Sequence, residues 1–126
     1  MEWNWEEFEH GPVEASSKRL HVTIDRRGHL FLNRHAIEAM GEPDAVTLMY
    51  DRRRSTIGLK RSPLGKQNAY RLKRKSKTSG RIIYISHFCR NYSICPDETL
   101  AFTSPEVNKD GILILDLNEV RSVRKI

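Results

Sequence analysis

The chain has 126 residues, 38% of them hydrophobic and 30% charged, and a formal net charge of +6. That length suits one compact domain, or two half-domains sharing a core, and needs no disulfide or metal staple. No apolar run approaches the roughly 20 residues of a membrane-crossing helix, and the acidic N-terminus lacks the basic region of a secretory signal. Two cysteines, Cys89 and Cys95, make no disulfide framework. The expectation is a cytoplasmic protein with no membrane contact.

Residues 1–19 read as an acidic arm in which Trp3, Trp5 and Phe8 are the large apolar groups and Gly11-Pro12 is punctuation. Trp3 and Trp5 alternate as in a strand, while Trp5 and Phe8 would share a helical face. Two roles stay open: the aromatics dock on a protein partner, since such side chains dominate interface hot spots, or they pad the protein's own core or edge.

From Leu20 the apolar residues alternate. Leu20, Val22 and Ile24 predict a half-buried strand. Asp25-Arg26-Arg27-Gly28 predicts a turn, with Gly28 supplying a positive φ and Asp25 an Asx bond. Leu30 and Leu32 continue in a second strand. Asn33 is the expected N-cap of a short helix from Arg34 to Met40, closed by Gly41. Val46, Leu48 and Tyr50, then Ile57 and Leu59, predict a hairpin whose tip carries Arg52, Arg53 and Arg54.

Residues 62–68 read as a joint, after which the order recurs. Tyr70 and Leu72 alternate, and a basic loop runs from Lys73 to Gly80. Ile83 and Ile85 follow, then Ser86 as the expected N-cap of a second helix through Tyr92. Leu100 and Phe102 alternate, Asn108 to Gly111 turn, and Ile112 to Leu117 form a last strand before a frayed basic tail, residues 118–126. Pro43 and Pro96 are 53 positions apart, and Ile57 and Ile112 are 55 apart, as a repeated supersecondary unit requires. The expected organisation is an arm, a first unit over residues 20–61, the joint, a second unit over residues 69–117, and the tail.

Charge is unevenly spread. Residues 51–90 hold 13 Lys and Arg against Asp51 alone, a density that favours polyanions. Guanidinium forks suit phosphate oxygens, and Ser76, Thr78 and Ser79 add small donors to the basic loop. The residues expected to contact nucleic acid are Arg26, Arg27, Arg34, Arg52, Arg53, Arg54, Lys73, Arg74, Lys75, Lys77 and Arg81. Catalytic motifs are absent: there is no GxSxG, HExxH, GxGxxG or P-loop. His87, Cys89 and Cys95 lack the close ligand pairs of a zinc site, so no metal or cofactor is expected and the chain reads as a non-enzyme.

The stretch from Val22 to Lys60, VTIDRRGHLFLNRHAIEAMGEPDAVTLMYDRRRSTIGLK, resembles the swapped-hairpin pattern of the AbrB/MazE/MraZ family, and the tandem arrangement is similar to MraZ. The resemblance implies a mainly β fold with short helices, built as two ββαββ units forming an interlocked β-barrel. It implies a DNA-binding, nucleoid-associated regulator that touches duplex DNA near the first hairpin, at Arg26, Arg27 and Gly28, with Arg34 opening the helix. In the second unit the basic turn falls on Lys77, Gly80 and Arg81. His29 stands where the family has Arg, and Asn33 and Ser86 stand where it has Pro. The alternatives are a protein-interaction module that uses the Trp-bearing arm, as in an antitoxin-like or accessory subunit, and an RNA binder with Tyr70, Tyr84, Phe88 and Tyr92 as stacking platforms. Self-association is also open.

Overall fold

A computed structural model describes residues 2–7, 9, 19–74, 80–94 and 96–123. It is mainly β, with eleven short strands and two one-and-a-half-turn helices among these residues. The first hairpin is β1 (Val22–Ile24) and β2 (His29–Leu32). Its turn forms as the residues dictate: the Asp25 carboxylate accepts the N–H groups of Arg27 and His29, both at 2.9 Å, and Gly28 takes φ +77. Helix α1 (Arg34–Ala39) starts at Asn33, whose Oδ1 accepts the Ala36 N–H at 3.0 Å. The long hairpin of β3 (Ala45–Asp51) and β4 (Thr56–Ser62) follows.

Beyond the joint, the chain changes sheets at one residue. Short strand β5 (Ala69–Arg71) pairs with β3, and β6 (Lys73–Arg74) pairs with β7 (Arg81–Tyr84). Leu72 lies between them, buried, with its N–H on the Asp44 carbonyl. The expected basic loop therefore begins as a strand, and Lys73 and Arg74 are fixed in a ladder. Helix α2 (Ser86–Asn91) is capped by Ile85 without a side-chain bond, so Ser86 is the first helical residue rather than the cap. Ile85 is fully buried and its N–H donates to the Gly28 carbonyl at 2.8 Å, a tie that sets where the helix begins. Strands β8 (Leu100–Phe102), β9 (Glu106–Val107), β10 (Leu113–Asp116) and β11 (Val120–Ser122) complete the fold. The last of these corrects the expected frayed tail: Val120 to Ser122 pair with Phe102 to Leu100.

Two antiparallel sheets result. One has six strands in the order β11-β8-β1-β2-β7-β6, the other five in the order β5-β3-β4-β10-β9. Among the described residues no ladder joins them into the closed barrel that was expected. Alternation sends Val22, Ile24, Leu30, Leu32 and Ile83 of the first sheet, and Val46, Ile57, Leu59, Leu113 and Leu115 of the second, into one core where all are essentially inaccessible. Burying each such side chain contributes on the order of 1.5–3 kcal/mol. Among the described residues no helix is long and apolar enough to cross a membrane.

Candidate nucleic-acid interface

Inward Leu30 and Leu32 oblige His29 and Phe31 to point outward. Register carries that parity across the whole six-stranded sheet. Thr23 pairs with Phe31, Phe31 with Ile82 and Ile82 with Lys73; in the other direction Thr23 pairs with Ala101 and Ala101 with Arg121. One row thus runs Arg121, Ala101, Thr23, Phe31, Ile82, Lys73, with a cation at each edge, about 24 Å apart at five strand spacings. A second outward pair, His29 opposite Tyr84, stacks at 4.7 Å between ring centroids. The Lys73 ammonium lies 4.5 Å from the Tyr84 ring centroid, and His29 Nδ1 lies 3.5 Å from Asp25 Oδ2.

The open end of the β1–β2 hairpin widens this face into a groove of about 620 Å³. Arg19, His21, Phe31, Thr103 and Arg121 line it, with Phe102 and Pro105 behind, and none of its lining residues is acidic. Asn33 builds the wall as well as capping the helix. Its amide donates to the Arg19 carbonyl at 2.7 Å, and its Oδ1 also accepts the His21 N–H at 3.1 Å. Phe31 meets His21 edge-on at 6.2 Å. On its other side Gly80 is required, because a Cβ there would sit 2.6 Å from the Phe31 ring.

The residues expected at the interface are distributed differently. Arg26 and Arg27 are exposed at the closed end of the same hairpin, the opposite end from the groove. There they line a cleft with Asp25, Asp97 and Glu98, three carboxylates against two guanidiniums. Arg74 and Arg81 pair with each other and continue the Leu32 row, so they take the opposite parity from Lys73. Arg81 donates to the Gly80 carbonyl at 3.0 Å. Arg34 is tied to Glu38 by a 2.7 Å bond on α1. Arg52, Arg53 and Arg54 are exposed at the β3–β4 tip, where Arg52 lies over the Tyr92 ring at 4.9 Å and Arg54 bonds Asp51 at 3.0 Å. The Arg54 side chain, helped by backbone N–H groups, holds the Asp51 carboxyl below its ordinary value. The Arg26–Arg27 turn packs its Gly28 on Ser86, at the start of α2, while Arg52 lies at the end of that helix. Helix α2, six residues or about 9 Å long, thus has one basic turn against its start and Arg52 against its end. Lys75 and Lys77 lie outside the described residues.

Residues absent from the sequence reading now appear at the site: Arg19, His21, Phe31 and Arg121. Arg19 and Arg121 are 102 positions apart in the chain, and only the β1–β8–β11 ladder brings them together. Of the aromatics considered for stacking, Phe88 is buried and Tyr92 packs with it and Tyr50 in a partly buried cluster against the core, whereas Tyr84 is 48% exposed on the outer face. In the arm, Trp3 and Trp5 are 69% and 82% exposed and stack on each other at 5.4 Å; residues 2–7 form no helix or strand, and Phe8 lies outside the described residues. Among the described residues no three His, Cys, Asp or Glu side chains gather as metal ligands. No family model, curated protein or solved structure matches this chain.

Proposed function

We propose that the chain is a DNA-binding regulator that lays the outer face of its six-stranded sheet against the phosphate backbone. The observation that carries this reading is the groove with Arg19, His21 and Arg121 on its walls and no carboxylate, continuous with a row ending in Lys73. Guanidinium and ammonium groups release condensed counterions when they meet phosphates, which drives binding irrespective of base sequence. Thr23, Ile82, His29 and Tyr84 between the cations supply small and flat surfaces against sugars and base edges.

The tandem swapped-hairpin reading belongs to the same proposal and has support in the topology. Helices α1 and α2 begin 52 positions apart, at Arg34 and Ser86, and the strands before them, β2 and β7, begin 52 apart, at His29 and Arg81. Those two strands pair with each other, as do β4 and β10, while β1 pairs with β8 and β3 with β5. Each of these four ladders joins the first half of the chain to the second. A unit with one apolar face and open edges is stabilised by such an exchange.

Fluorescence anisotropy with a labelled duplex tests the function. With about four phosphates engaged, affinity should fall roughly a hundredfold between 50 and 200 mM salt. Absence of duplex binding at the lower salt would overturn the reading, and preferential capture of single-stranded RNA by the Tyr84 face would reassign it.

A further inference from the structure

Two indole rings held in water are an unusual surface for a folded chain, and their neighbours are all of one sign. Trp3 and Trp5 are flanked by Glu2, Glu6 and Glu7, and residues 1–14 contain no Lys or Arg. The groove at Arg19 and Arg121 presents the opposite character: two guanidiniums, an imidazole, the Phe31 ring and no acid among its lining residues. The arm is also delivered to that place. Arg19 is itself a wall of the groove, and eleven residues connect it to Glu7. Eleven residues can span at most about 40 Å. Tethering at that distance corresponds to an effective concentration in the millimolar range, far above that of a second copy at micromolar protein.

We propose that the arm, Glu2–Glu7, docks in cis on the Arg19–Arg121 groove as an internal polyanion mimic and competes there with nucleic acid. Its carboxylates take the positions of phosphates beside the two guanidiniums, and its indoles cover Phe31 and the apolar wall, as bases would. The self-stacked, exposed tryptophan pair is the released form. Only the competition rests on the nucleic-acid reading above; the docking does not.

Trp3 and Trp5 are the only tryptophans in the chain, so intrinsic emission reports the arm alone. In the full-length protein at about 50 mM NaCl the emission should lie to the blue, and about 500 mM NaCl should move it to the red as the charges are screened. The exposed double variant Arg19→Ser/Arg121→Ser, with an unchanged thermal midpoint, should be red at both. A duplex of about twenty base pairs should produce the same red shift in the parent protein, and Glu2→Gln/Glu6→Gln/Glu7→Gln should bind that duplex roughly three- to tenfold more tightly at low salt. Emission that ignores both salt and the groove variant overturns the docking. A blue shift that grows with protein concentration overturns the cis arrangement in favour of exchange between copies. Equal duplex affinity with and without the three glutamates overturns the competition. Emission that responds while no duplex binds leaves the docking standing and removes the nucleic-acid reading instead.

Discussion

Two pairs of arginines lie at opposite ends of the first hairpin. Arg26 and Arg27 occupy its tight turn, the place where a basic hairpin is most conspicuous in a sequence, yet they share their cleft with Asp25, Asp97 and Glu98. Arg19 and Arg121 come from loop and edge strand, 102 positions apart, and share theirs with His21 and Phe31. Charge near a turn attracts a polyanion only to the extent that the fold leaves it unopposed. By that measure the second pair is the stronger electrostatic feature.

The comparison can be broken most severely at Gly28. A Cβ there would meet the Ser86 backbone at 2.6 Å in a residue already at φ +77. Gly28→Ala should cost about 3 kcal/mol of unfolding free energy, from left-handed backbone strain and overpacking together, read by denaturant titration. It should also dislodge the Arg26–Arg27 turn from α2. Next in size, Arg19→Ser/Arg121→Ser should weaken duplex binding about thirtyfold, if each phosphate contact contributes about 1 kcal/mol, and should lower the slope of log affinity against log salt by about 1.8. Asn33→Ala removes both a helix cap and the strut under Arg19. A loss of about 1–2 kcal/mol is expected, with weakened duplex binding in protein that remains folded.

The contrasting pair supplies the smaller effects. Arg26→Ser/Arg27→Ser should change duplex affinity by less than about threefold, because the neighbouring carboxylates already oppose these charges. A larger loss would reverse the ranking of the two ends. Smallest of all is Asp51→Asn at the β3–β4 tip. The folded Asp51 carboxyl sits below its ordinary value of 3.8, chiefly through the Arg54 side chain. Its contribution is present above that value and is lost as pH falls through the lowered one. The difference in thermal midpoint between parent and variant should therefore be seen at neutral pH and disappear in stronger acid.

Much of the local structure was legible because short-range chemistry decides it. Asp25 and Gly28 make the first turn, Asn33 caps α1, and Asn108 pins the β9–β10 turn through the N–H groups of Asp110 and Ile112. Alternation correctly separated Leu30 and Leu32 from their outward neighbours. The failures fall where partners are remote. Ser86 looks like a cap, but Gly28 and Ile85 fix the helix start instead. The tail reads as basic and frayed, but Val120 finds Phe102 across a ladder. Lys73 and Arg74 read as one basic run, yet the pleat gives them opposite faces.

The chain alone therefore determined the mainly β character, the turns, the first helix and the identity of most core residues, because periodicity and capping act within a few bonds of each residue. Tertiary structure decided that the strands pair as two sheets, that Leu72 is where the chain crosses between them, and that Arg19 and Arg121 line one groove without acids while Arg26 and Arg27 share theirs with three carboxylates. The physical reason is that side-chain parity is local, whereas the order of strands in a sheet is chosen by which distant apolar faces bury one another.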